Sequence, residues 1–159
     1  MSNNCLIIGS KSSLGIEIER VFKRNSYKVF GTSRSFKKNS DATKIFLDFK
    51  DIESLNLLEK KIPNLDCVIF CTGLLLGKEL NDYKDEEIFT VFQTNIIGPT
   101  MVLKRINKRL NQKCSVIFIG SIAGSAGSYD EVYASSKSSI NGLIKSLAKK
   151  SKKSIRFNS

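Results

Sequence analysis

The sequence predicts an α/β domain: a doubly wound parallel sheet in three layers, with helices on both faces. Three observations predict it. Short, unbroken apolar runs of strand length recur along the chain, as expected of strands buried on both faces. Segments with apolar residues at helical spacing separate them, and this alternation joins by right-handed crossovers. At 159 residues, the chain suits one domain over positions 1–159, with no internal linker or repeat.

The elements follow in order. Leu6, Ile7 and Ile8 form a first buried strand, and Leu14, Ile18, Val21 and Phe22 mark a helix after it. Residues 27–31 and 44–47 read as strands two and three. Ile52, Leu55, Leu58 and Ile62 mark a second helix, closed by Pro63. Residues 67–71 give strand four. A long helix is expected over 85–110, bent at Gly98-Pro99. Strand five is expected over 115–119, a helix over 131–150 and a sixth strand over 154–158. A ligand site is then expected beyond the carboxyl ends of the strands, where the strand order reverses.

Composition removes several function classes. Histidine is absent, and Cys5, Cys67, Cys71 and Cys114 make no Cys-x-x-Cys pair, which argues against zinc. All four sit in or beside apolar runs and read as small core residues. No apolar run approaches a membrane span. The first residues, Met1-Ser2-Asn3-Asn4, lack a basic start and an apolar stretch, so no signal peptide and a cytoplasmic location are expected. The net charge of +11 comes mainly from scattered lysines, with clusters at Lys37-Lys38, Lys60-Lys61 and 149–153. No nucleic-acid motif accompanies them. A solvated surface that attracts anionic ligands is expected, not a nucleic-acid partner.

The chemistry-bearing residues fall into two groups. After strand one comes Gly9-Ser10-Lys11-Ser12-Ser13-Leu14-Gly15. Glycines in such a turn let the backbone approach a pyrophosphate at a helix N-terminus. Downstream, Tyr133 and Lys137 stand at i and i+4, on one helical face. Ser121 lies in Gly-Ser-Ile-Ala-Gly at the end of strand five, and Asn95 opens Asn-Ile-Ile-Gly in the long helix.

In this order, the residues resemble the short-chain dehydrogenase/reductase family, over positions 5–159. The resemblance implies a Rossmann-type NAD(P)-binding domain whose Asn95, Ser121, Tyr133 and Lys137 form the catalytic tetrad. The family's turn reads Gly-x-x-x-Gly-x-Gly, and Ser13 stands at its middle glycine. That side chain either crowds the cofactor or donates to a phosphate; both readings stay open. Asp48 matches the adenine-contacting aspartate. Cys71-Thr72-Gly73 stands where the family has Asn-Ala-Gly, keeping only the glycine. The implied cofactor contacts are Gly9, Lys11, Ser12, Ser13, Leu14, Gly15, Ser33, Arg34, Asp48, Phe49, Thr72 and Gly73, with Tyr133 and Lys137.

The implied reaction is hydride transfer between the dinucleotide and a small-molecule carbonyl or secondary alcohol. A free tyrosine has a pKa of about 10, and a nearby ammonium favours the phenolate. Tyr133 is therefore the expected general acid or base. Lys137 would tune it and hold the nicotinamide ribose. Ser121 would orient the carbonyl, and Asn95 would hold a water beside Lys137. NADP is expected over NAD. An acidic residue after strand two would bind a 2′-hydroxyl, yet Ser33 occupies that place and Arg34 follows, suited to a 2′-phosphate.

The family continues past a strand like 154–158 into a Pro-Gly turn, a substrate helix and a last strand. The sequence lacks these, so a C-terminally shortened domain is expected: a natural short form, a truncated product or a fragment. A homodimer through the helices carrying Asn95 and Tyr133 is also implied. Against the enzyme stands a non-catalytic nucleotide-binding or interaction module.

Overall fold

A computed structural model describes residues 3–37, 41–151 and 154–159; Lys38, Lys152 and Lys153 of the lysine clusters lie outside them. Strand β1 (Asn4–Ile8) leads into helix α1 (Ser13–Arg24). Then come β2 (Lys28–Ser33), β3 (Lys44–Phe46), α2 (Ile52–Lys61) and β4 (Leu65–Phe70). Helices α3 (Asp85–Phe92) and α4 (Gly98–Ile106) precede β5 (Leu110–Phe118). Short α5 (Ala123–Ala126), long α6 (Glu131–Lys150) and β6 (Arg156–Asn158) complete the order.

The six strands form one sheet in the order β3-β2-β1-β4-β5-β6, and every pairing is parallel. This is the doubly wound sheet that the alternating pattern predicts. One face of β1 and β4 packs Leu6, Ile8, Val68 and Phe70 against α2, α4 and α6, through Leu55, Leu58, Val102, Ile106 and Ile140. Phe70 stacks on Phe118 of β5 at 4.3 Å between ring centroids. The other face carries Cys5, Ile7, Cys67 and Ile69, covered by Ile18 and Phe22 of α1. All four cysteines are buried and unbridged, in keeping with their apolar surroundings. Among the described residues no group of side chains could hold a metal, and no helix is long and apolar enough to cross a membrane.

The long helix expected over 85–110 needs correction. It ends by Arg109, and Leu110 already belongs to β5, paired with Leu65 of β4. Strand five thus starts earlier than the apolar stretch 115–119, because Leu110 pairs with Leu65 ahead of an irregularity in register, and regular pairing resumes at Cys67 and Ser115. The irregularity also lies one turn before the expected bend. Residues Gln93–Ile97 form a π-helical turn, in which the Gly98 amide donates to the Gln93 carbonyl. Pro99 has no amide to offer Asn95, and widening the ladder by one residue absorbs that loss.

The strand order reverses between β1 and β4. A crevice therefore opens where Ile8 passes into Gly9 and Phe70 into Cys71, as open α/β sheets require. The Cys71 amide donates to the Ile8 carbonyl at 2.8 Å, carrying the ladder to the lip of that crevice.

Candidate active site

The crevice encloses about 250 Å³. Gly9, Lys11, Ser12, Ser33, Arg34, Asp48, Phe49, Thr72 and Gly73 line it, with Thr90, Gln93 and Thr94 from the α3 side. Two glycines make its floor possible. Gly9 has φ +83°, and a β-carbon there would lie 2.9 Å from the Thr72 methyl. A β-carbon on Gly15 would meet the Gly9 carbonyl at 2.6 Å, so α1 could not approach the turn. The Ser12 hydroxyl caps α1: it accepts from the Gly15 amide at 3.0 Å and donates to the Gly9 carbonyl at 2.9 Å. Ser13 and Leu14 are exposed at the opening turn, where helix amides lack intrahelical partners and favour an anion.

The rest of this half is sparsely bonded. Arg34 is exposed beside Ser33, and among the described residues no carboxylate pairs with it. Asp48 accepts the Lys50 amide at 2.9 Å through one oxygen. The Thr72 hydroxyl is buried with no hydrogen-bond partner. Burial pushes the Cys71 thiol up to about 11, so this crevice-lining cysteine is neutral at pH 7.

The second half is densely bonded. Asn95 is 1% exposed. Its side chain accepts the Leu74 amide at 2.7 Å and donates to the Leu74 carbonyl at 3.0 Å and to the Ser136 hydroxyl at 2.8 Å. Ser136 in turn donates to the Tyr133 carbonyl at 2.7 Å. Lys137 is 4% exposed and donates to the Ile119 carbonyl at 2.8 Å. Its ammonium lies 5.8 Å from the Tyr133 ring centroid, as one helical turn places i and i+4. Burial lowers the Lys137 pKa from its ordinary value, because a low-dielectric site disfavours the charged form. A β-carbon built on Gly73 would stand 3.5 Å from that ammonium, so Gly73 is where the two halves meet.

Ser121 is half-buried at the turn after β5, its hydroxyl accepting the Ala123 amide at 3.2 Å. Gly124 lets this turn reach α6: a β-carbon there would lie 2.9 Å from the backbone of Lys137 and Ser138. On the far side, Gly98 fills the same role, since a side chain would enter the Phe49 ring.

Gly9, Lys11, Ser12, Ser33, Arg34, Asp48, Phe49, Thr72 and Gly73 thus gather at the crevice. Ser13 and Leu14 sit at the helix mouth, and Gly15 acts by packing. Asn95, Tyr133 and Lys137 meet beyond Gly73. Several supporting residues were not singled out as site residues by the sequence: Gly98 and Gly124, which close the Asn-Ile-Ile-Gly and Gly-Ser-Ile-Ala-Gly motifs, with Ser136 and the buried Asp130. The Gly-x-x-x-Gly frame of 120–124 was a usable signal for Gly124. An aspartate three residues before a helical tyrosine was one for Asp130, which caps α6 by accepting the Tyr133 amide at 2.7 Å.

The family model described as short chain dehydrogenase matches residues 3–159. The chain is 29% identical to a 3-oxoacyl-[acyl-carrier-protein] reductase of Haemophilus influenzae, covering 91% of this chain and 66% of that protein. It is 26% identical to carbonyl reductase family member 4 of Xenopus laevis, covering 99% and 73%. The chain therefore spans about two thirds to three quarters of the length of these relatives. Among solved structures, BdcA in complex with NADPH shares the fold, with a TM-score of 0.83 at 24% identity over 98% of this chain and 68% of that one.

Proposed function

Because the chain belongs to the short-chain dehydrogenase family, we propose that it is an NADP-dependent oxidoreductase that interconverts a carbonyl and a secondary alcohol. The observation that carries this reading is the buried Lys137 ammonium, set between Gly73 at the crevice and Tyr133 one turn away. Burying a lysine on a helix costs stability, and its place beside a phenol gives that cost a chemical use.

The crevice suits a dinucleotide. Gly9 and Gly73 keep its floor free of side chains, the α1 N-terminus faces a phosphate, and Asp48 stands at the adenine end. Arg34 without a carboxylate partner suits a 2′-phosphate, and the relative solved with NADPH agrees with that choice. When bound, the nicotinamide supplies or accepts the hydride. Tyr133 gives its phenolic proton to the carbonyl oxygen in reduction and takes it back in oxidation. Lys137 stabilises the phenolate and would hold the ribose of the bound dinucleotide. Ser121 donates to the substrate oxygen as charge develops there. Asn95 fixes the Leu74 backbone and, through Ser136, the turn of α6 that carries Tyr133. Relatives named as reductases of 3-oxoacyl chains and carbonyls support a ketone substrate.

The test is NADPH oxidation with an acetoacetyl thioester and a panel of simple ketones. Wild-type protein should turn over, and Tyr133→Phe should lose about 10²–10⁴-fold in kcat with a far smaller change in NADPH affinity. Equal turnover by the two proteins would sink the assignment.

A further inference from the structure

The proposed reaction leaves Asp130 without a role, although it is 0% exposed. One of its oxygens accepts the Tyr133 amide at 2.7 Å. The other accepts the amides of Gly77 at 3.0 Å and Lys78 at 3.4 Å. The Tyr83 hydroxyl bridges both oxygens at 2.9 and 2.8 Å. Lys78 does not neutralise it, because its ammonium lies 2.7 Å from Glu87. The carboxylate is held by amides, a phenol and the α6 N-terminus. Burial pushes its pKa up, but the donors from Tyr133, Tyr83, Gly77 and Lys78 outweigh that and hold it below the usual carboxylate range.

Capping alone does not call for this residue, since asparagine caps a helix as well as aspartate. A carboxylate offers two oxygens and no donor, whereas an amide offers one oxygen and an NH₂. Four donors converge here, so the amide would face at least one of them donor to donor. The segment between β4 and α3 is thereby tied at both ends. Leu74 is bonded to Asn95, and Gly77, Lys78 and Tyr83 to Asp130. Gly77, at φ +70°, has the Tyr129 hydroxyl 3.2 Å from where a β-carbon would be, so the segment lies close against the start of α6. Glu131 adds a bond from the Leu80 amide at 3.0 Å.

We propose that Asp130 is a positioning residue that locks the 74–83 segment to the helix carrying Tyr133 and Lys137, fixing the proton donor relative to the chain that follows Gly73 out of the crevice. The functional half of this proposal rests on the oxidoreductase reading; the mechanical half does not.

The experiment uses the full chain, with Asp130→Asn and Tyr83→Phe. Amide hydrogen exchange reads the lock without any turnover. NADPH titration reads the crevice, and steady-state kinetics with an acetoacetyl thioester reads the placement of the proton donor. Asp130→Asn should keep the Tyr133 amide protected and speed exchange at Gly77 and Lys78 by about tenfold. It should lower kcat by roughly 10–100-fold and leave NADPH affinity unchanged. Tyr83→Phe should do the same more weakly. Unchanged exchange at Gly77 and Lys78 would overturn the lock and leave Asp130 a plain cap. Faster exchange with wild-type kcat would overturn the positioning role. If wild-type protein turns over no ketone, the oxidoreductase reading falls and exchange alone decides the lock. Should Asp130→Asn fail to fold, Tyr83→Phe decides by the same readouts.

Discussion

On the β1–β2 side of Gly73, the crevice wall is sparsely bonded: a glycine turn, a helix mouth, the exposed Arg34 and a buried Thr72 hydroxyl with no partner. On the β5–α6 side, the wall is a bonded web in which Asn95, Ser136, Lys137 and Asp130 each hold a neighbour. The contrast fits what each half would do under the proposed function. A pyrophosphate is recognised by amides and a helix N-terminus, which need space more than side chains. Proton transfer needs a phenol and an ammonium fixed to within a fraction of an ångström. Substitutions should therefore fail differently in the two halves.

The largest expected effect on the open half comes from Gly15→Ala. Its β-carbon would fall 2.6 Å from the Gly9 carbonyl and 2.9 Å from the Ser10 α-carbon, backbone atoms that cannot swing aside. Overpacking of this kind costs about 1–3 kcal/mol. Because α1 must shift to relieve it, NADPH affinity should fall as well. Urea unfolding and NADPH fluorescence titration check both. Wild-type affinity and stability together would mean that the helix tolerates a looser seat than the geometry implies.

Arg34→Ala should be milder and selective. Arg34 is exposed, so stability should stay within about 0.5 kcal/mol. NADPH affinity should drop by roughly tenfold or more, the scale of one charge-assisted bond, with NADH affinity unchanged. Equal losses for both cofactors would show that Arg34 does not read the 2′-phosphate.

The same contrast explains what was legible in the sequence. Apolar runs at strand length revealed the sheet, since burial on both faces leaves few polar residues in β1 and β4. The open half was legible residue by residue, because amides and glycines act through chain position: Gly9 and Arg34 stand where spacing from a strand end puts them. The bonded half was legible only at the residues proposed to react. Beyond their local bonds to Tyr133, Asp130 and Ser136 act through partners 41–53 residues away in sequence, which no local pattern encodes. The helix over 85–110 was misread for a related reason. A run of helix formers does not reveal that Leu110 will pair with Leu65, nor that the ladder widens before Pro99.

The smallest expected effect tests the bonded half from the side of stability. Burial lowers the Lys137 pKa in the folded chain. A group with a depressed folded pKa contributes its full stability only above its unfolded value and loses it as pH falls through the folded value. While the side chain is protonated, its burial therefore opposes folding. Its bond to the Ile119 carbonyl at 2.8 Å offsets part of that cost. Lys137→Met keeps most of the volume and removes the charge. It should raise unfolding stability at pH 7 by about 0.5–1 kcal/mol, the usual scale of an active-site trade, while abolishing turnover. The advantage should shrink as pH rises through the folded pKa, because the wild-type lysine then sheds its proton in the native state. Urea midpoints taken across the alkaline range read that slope directly. A variant less stable than wild type at pH 7 would mean that the bond to Ile119 outweighs desolvation. Lys137 would then be a strut in the same web as Asp130, holding the turn after β5 in place as well as serving Tyr133.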